Sequence, residues 1–178
     1  MRKMLGGSIL FVIVFLSINA IQNGSSGAGF SAPATTIRAF ILPSVGVSAP
    51  ADIRIWEFQP SEPGIYTKKG LLKVTANTGW KIAVNNTDQV KDGHMTEWTG
   101  TSYGGKKLQS PLKVSADREV TLPEGGTIQT GTTVGEHDIE VTLTQVVSQD
   151  DLPLEDGHVY RIALSFEGFP AVNTMNPA

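Results

Sequence analysis

The segment 158–166 (HVYRIALSF) alternates with a period of two. Tyr160, Ile162, Leu164 and Phe166 fall on one face of an extended chain, and Val159, Arg161, Ala163 and Ser165 on the other. The same alternation runs through 138–146, where Ile139, Val141 and Leu143 interleave with Glu140, Thr142 and Thr144. It recurs at 80–84, where Trp80, Ile82 and Val84 interleave with Lys81 and Ala83. Beyond residue 28 no stretch carries the i, i+3, i+4, i+7 apolar stripe of a packed helix. Strands with one dry and one wet face belong to antiparallel sheets packed on one another. The pattern predicts an all-β chain, a single β-sandwich of immunoglobulin-like or jelly-roll-like type with about eight to ten strands. It spans 51–170, and 171–178 is a tail. The predicted core is Leu72, Val74, Trp80, Ile82, Val84, Leu112, Val114, Ile139, Val141, Leu143, Tyr160, Ile162, Leu164 and Phe166.

Turn formers punctuate the strands at 59–64 (QPSEPG), 77–79 (NTG), 123–126 (PEGG) and 150–153 (DDLP). The short Asn77-Thr78-Gly79 spacer predicts a hairpin joining 71–76 to 80–85. Two segments are near copies, LKVTAN at 72–77 and LKVSAD at 112–117, offset by 40 residues. The two Asp-Gly-His sequences, 92–94 and 156–158, are offset by 64, so no common period and no repeat array is predicted.

The N-terminus reads differently. Arg2 and Lys3 form a basic head, 9–21 (ILFVIVFLSINAI) is apolar apart from Ser17 and Asn19, and a small polar exit follows. This is the layout of a secretory signal peptide, 1–28, ending at Ser26-Gly27-Ala28. The run is shorter than the roughly 20 apolar residues of a membrane span; left uncut, it would anchor a surface domain. A pilin-type leader cut near Gly6-Gly7 is a further reading, but its usual acidic residue is missing from the run. The expectation is export to the cell surface or extracellular space, with 29–50 a flexible N-terminal segment.

Without Arg2 and Lys3 the chain has 12 basic and 17 acidic residues, a mild acidity that speaks against a nucleic-acid partner. It contains no cysteine, so neither disulfides nor thiolate metal sites hold it together. Asn85-Asn86-Thr87 is a glycosylation sequon with Asn85 as acceptor.

Candidate chemistry is sparse. Asp-Gly is a strong turn dipeptide, so both Asp-Gly-His copies read as a turn followed by a strand. A metal reading would require His94, His137 and His158 to converge without any paired His spacing. No G-x-S-x-G elbow is present, and Gly104-Gly105-Lys106-Lys107 lacks the spacing of a phosphate loop. The acidic pairs Asp150/Asp151 and Glu155/Asp156 lack EF-hand spacing and read as one solvated loop. The long polar stretch 86–109 carries Trp98 and Tyr103, two loop aromatics that could stack on a glycan or plug an open edge of the core. The apolar stretch 35–47 lies between two Ser-Ala-Pro hinges. Its Ile37, Phe40, Ile41 and Leu42 are candidates for a donor strand that completes a neighbour's sheet; the alternative is an ordinary first strand.

Several segments occur in an order that resembles a family of small exported proteins of methanogenic archaea. They are Leu72-Lys73-Val74-x-Ala76-Asn77-x-x-Trp80, Gly93-His94-Met95-Thr96-Glu97-Trp98-x-Gly100-x-Ser102-Tyr103, Pro111-Leu112-x-Val114 and Asp156-Gly157-His158-x-Tyr160-Arg161-Ile162. The resemblance implies an exported surface β domain and no particular activity. More distantly the layout is similar to WxL-type surface domains, although Trp56, Trp80 and Trp98 are not followed by x-Leu. Export, size and lack of cysteine are also similar to fibre subunits of the TasA and camelysin type. Together these readings predict a non-enzymatic surface or matrix protein without cofactor. Its partners would be copies of itself, in a homo-oligomer or filament, or cell-envelope components, with polysaccharide as the alternative ligand.

Overall fold

The structure, a computed structural model, describes residues 41–151 and 154–171. The signal-peptide segment, the stretch 29–40 with Ile37 and Phe40, and the tail 172–178 lie outside the described residues.

Eleven strands are present among the described residues, in two antiparallel sheets. One sheet has the order β1-β3-β10-β7-β8, made of Val45–Ser48, Gly64–Ala76, Gly135–Val147, Lys113–Ser115 and Glu119–Thr121. The other has the order β6-β5-β11-β4-β9, made of Tyr103–Lys107, Thr96–Trp98, Val159–Pro170, Trp80–Asn86 and Gly126–Gly131. A further strand, β2 (Ile55–Phe58), pairs with β11, and α1 (Ala51–Arg54) is a single turn just before it. The inner faces meet in one core that draws residues from both sheets, the arrangement of a β-sandwich.

The longest pairing joins β3 to β10, from Gly135↔Ala76 to Val147↔Gly64. Their inward residues Leu72, Val74, Val141 and Leu143 are fully or almost fully buried. Outward, Lys69 meets Glu140 at 2.8 Å and Lys73 meets Asp138 at 3.9 Å, exposed pairs that favour this register more than they add stability. The two near-copy sequences flank the same strand: Leu72 of β3 pairs with Ile139, and Val114 of β7 with Leu143. All of the predicted core is buried except Ile139, which packs against it half-buried. Ile53, Trp56, Met95, Leu108, Leu122 and Ile128 join that core from short strands and turns, where no alternation is long enough to read.

The predicted 71–76/80–85 hairpin is not formed. β3 pairs with β1 and β10, whereas β4 pairs with β11 and β9, so Asn77-Thr78-Gly79 carries the chain from one sheet to the other. Leu72 and Val74 are buried opposite Trp80, Ile82 and Val84. Two strands that both bury every second residue satisfy the core equally well face to face, and the spacing alone does not choose. β1, inside the expected flexible segment 29–50, pairs with β3 from Val45↔Ala76 to Ser48↔Lys73, as an ordinary first strand does.

Trp80 is only 3% exposed, and its Nε1 donates to the Thr133 carbonyl at 3.1 Å. The indole lies flat over Gly131, where a Cβ would come within 2.2 Å of the ring. Gly131→Ala should therefore destabilise the sandwich by about 1–3 kcal/mol, the usual cost of overpacking. Gly105→Ala, with no atom within 4 Å of the added methyl, should not; urea midpoints of the two variants check this.

Candidate functional site

β4 and β5 pair with successive stretches of β11, Leu164–Pro170 and Val159–Arg161, and residues 87–95 are looped out between them. At this gap the Ala163 carbonyl accepts the Thr87 N–H at 2.9 Å, and the Ala163 N–H donates to Asp88 Oδ2 at 2.5 Å. A carboxylate thus stands in for a missing strand residue. The other Asp88 oxygen accepts the Tyr103 hydroxyl. Asp88 is buried, and burial pushes its carboxyl up, against the opposing pull of the Ala163 N–H and the Arg161 charge.

Tyr103 pairs with Trp98 across the β5–β6 hairpin, their rings edge to face at 4.9 Å. The hairpin replaces the long loop expected for 86–109. Its turn is held by Thr99, whose N–H and hydroxyl both donate to the Ser102 carbonyl, at 3.0 and 3.1 Å. Arg161 of β11 lays its guanidinium 4.2 Å from the Trp98 ring centre and 3.4 Å from Glu57 of β2. Its Nε is buried with no hydrogen-bond partner among the described residues. Trp98 and Arg161 lie on the face of β11 opposite the buried Tyr160 and Ile162. The core-plugging alternative therefore fails: both rings are half-buried and neither belongs to the core. They form an aromatic platform on the outer face, with one face of Trp98 occupied by a cation.

Both Asp-Gly-His copies are turns. Gly93 and Gly157 have φ of 80° and 82°, the left-handed region that glycine adopts freely. Asp92 Oδ1 accepts the His94 N–H at 3.1 Å, and Glu155 O accepts the His158 N–H at 3.0 Å. Burial opposes the charge on Asp92, but bonds from Lys107 and the His94 backbone hold its carboxyl below the usual range. The His94 ring donates to Leu108 O at 2.7 Å and the His158 ring to Glu97 Oε1 at 2.9 Å. Among the described residues no cluster of three or more His, Asp or Glu could hold a metal ion.

Glu97 is buried, a placement its position in a polar stretch did not suggest. Space is made by Gly104, where a Cβ would sit 2.3 Å from Glu97 Oε2. The acidic loop is likewise only partly solvated. Asp151 is 4% exposed, and its carboxylate accepts Gln109 N, Ser148 N and Ser148 Oγ at 2.9, 2.7 and 2.8 Å. Its carbonyl accepts the Tyr160 hydroxyl at 2.6 Å. Burial, with the charges of Asp151 and Glu97, pushes Tyr160 up to about 12.

A second feature is the other edge of β11. β2 pairs with Tyr160–Ala163 only, and no described strand continues that ladder along Leu164–Pro170. Bonds from Thr87 N to Ala163 O and from Ala171 N to Gly79 O fix the parity: odd residues of β11 bond to β4. Leu164, Phe166 and Gly168 therefore turn their backbone groups to the open side. The chain that would extend β2 is bent into α1, whose Ile53 is fully buried over Gly70, where a Cβ would meet Ile53 Cγ2 at 2.3 Å. Across the opening, Val45 and Val47 of β1 close on Gly168, at 2.6 and 2.8 Å from a Cβ there. Between them lies a cleft of about 420 Å³ lined by Val47, Ser48, Arg54, Leu164, Ser165 and Phe166. Ser165 Oγ is buried without a hydrogen-bond partner among the described residues.

Of the residues singled out in the sequence, Trp98 and Tyr103 are brought together. Asn85 is exposed on β4, and Ile41 and Leu42 are exposed and outside any strand. Asp88, Glu97, Arg161 and Arg54 were not foreseen; Arg161, the only charge on the wet face of 159–166, was the available signal.

Tyr103→Phe leaves a buried carboxylate oxygen without its donor and should cost about 1–3 kcal/mol in a denaturant titration. The bond from His158, foremost, holds the Glu97 carboxyl below its ordinary value of 4.5. Ionised Glu97 therefore stabilises the fold above pH 4.5, and that contribution is lost as pH falls through the lowered value. Asp88, with a raised carboxyl, has the opposite sign: its contribution is lost as pH rises through the raised value. Glu97→Gln should flatten the acid limb of the urea midpoint plotted against pH, and an unchanged limb would exclude Glu97 as its source. No protein-family model, curated protein or solved structure matches the chain.

Proposed function

We propose that this chain is an exported, non-enzymatic surface or extracellular-matrix protein that self-assembles by strand pairing. The observation that carries the reading is the edge of β11 left unpaired among the described residues, where Leu164, Phe166 and Gly168 present backbone donors and acceptors beside a cleft of mixed polar and apolar lining. Exposed edges of this kind accept strands from other chains. The export part rests on the sequence of 1–28. A second reading, glycan binding, is favoured by the half-exposed Trp98–Tyr103 pair on the outer face, since exposed aromatic rings present apolar area to a sugar ring at low entropic cost.

Size-exclusion chromatography and negative-stain microscopy of 29–178 test the first reading. Oligomers or fibres are expected, and they should disappear when 29–42 is removed. The deletion stops there because β1 begins at Val45 and belongs to the sheet. A monomer at every concentration would overturn self-assembly. Glycan retention lost in a Trp98→Ala, Tyr103→Ala double variant would then favour the second reading.

A further inference from the structure

We infer that the open edge of β11 is the acceptor site for residues 35–42 of a second copy, added as a strand with Ile37, Ala39 and Ile41 turned into the cleft. The inference rests on the self-assembly reading above and assigns its partner and its site.

The edges of the two sheets differ in how they are protected. β8 is only three residues long, and β1 and β2 only four. β6 carries Lys106 and Lys107, both exposed. β9 is covered by the chain before β8: Arg118 N donates to Ile128 O at 3.0 Å, and Asp117 is bonded to Gln129 at 2.5 Å. Short strands, lysines and covering loops are the usual ways of blunting an edge. Along Leu164–Gly168 α1 and β1 flank the edge and leave a cleft, but no strand or loop pairs with its backbone among the described residues, and the edge ends at Pro170.

The open ladder, 164–170, is seven residues long, and the segment Thr35–Leu42 is eight. Pro33 and Pro43 flank the segment, and proline, lacking an N–H, ends a ladder at either side. Its period-two faces are unequal: Thr35, Ile37, Ala39 and Ile41 are uncharged throughout, whereas the other face contains Arg38. The cleft wall carries the apolar side chains of Val47, Leu164 and Phe166 beside Ser48, Ser165 and the charge of Arg54. An inward Arg38 would meet the like charge of Arg54; an inward Ile37 and Ile41 would bury apolar surface on Val47, Leu164 and Phe166. Ile41, at the end of the segment, is an apolar side chain that is 86% exposed.

The full chain contains no cysteine, so site-directed cross-linking has no background. Copies carrying Val47→Cys, on the inward face of β1, are mixed with differently tagged copies carrying a single cysteine at 37, 38, 39, 40 or 41, under mild oxidation. Cross-links between copies are expected at 37, 39 and 41, with little at 38 and 40. Adding Ile37→Lys to the Ile41→Cys copy should lower its yield about tenfold or more, because an ammonium would be driven against Arg54 and the Val47, Leu164 and Phe166 side chains; Arg38→Glu should leave it unchanged. Oligomers that persist on the sizing column with uniform or no cross-linking would overturn this assignment and leave self-assembly standing. Monomers without cross-links would overturn both.

Discussion

Every strand of the six-stranded sheet depends on β11, which must serve three partners at once. β4 and β5 share one of its edges although nine residues, 87–95, separate them in sequence, and β2 takes part of the other. An antiparallel ladder tolerates such a break only if the backbone groups exposed by it find other partners. Here the Asp88 carboxylate supplies the acceptor for Ala163 and, by taking the Tyr103 hydroxyl as well, ties the loop to the β5–β6 hairpin. Burying that carboxylate is costly, and the neighbouring Arg161 offsets part of the cost. Arg161 in turn is held between Trp98 and Glu57. The outer platform is thus first a device for joining four strands across a gap, and its aromatic surface is what remains over.

The same economy runs through the interior. With no cysteine available, the loops are fixed by buried polar groups whose bonds are almost all made. Asp151 gathers the 149–151 turn and Gln109, while Gln145 Nε2 reaches Ser110 O at 2.8 Å. Glu97 binds the His158 ring and accepts the Lys106 N–H at 3.3 Å. Such groups fix geometry more than they add stability, since each hydrogen bond is exchanged against one to water.

What the sequence made legible was whatever had period two over at least five residues. The strands around 72–76, 80–84, 138–146 and 158–166 could be read with their buried faces, because alternation reports the face directly. It does not report the neighbour. The 71–76/80–85 pair was assigned to one sheet and lies across two, since face-to-face and edge-to-edge packing bury the same residues. Loop-borne core residues such as Met95 and Leu108 have no period at all. Glu97 and Asp151 read as solvated charges because the glycine and the backbone donors that accommodate them come from elsewhere, Glu97 beside Gly104 and Asp151 beside Gln109, 42 residues away.

The edge of β11 left unpaired among the described residues has an energetic consequence of its own. Leu164, Phe166 and Gly168 offer about six backbone hydrogen bonds, each worth about 0.5–1.5 kcal/mol net once water is displaced. Association itself costs about 4–15 kcal/mol in lost freedom, so backbone pairing alone would leave an incoming strand at best marginally bound. Burying a side chain the size of isoleucine adds about 1.5–3 kcal/mol, and two of them decide the balance. Selectivity at such an edge therefore lies in which face of the incoming strand is apolar, not in its backbone. A strand shifted by one residue presents the opposite face to Val47, Leu164 and Phe166. It keeps its hydrogen bonds and forfeits the burial that makes them worthwhile.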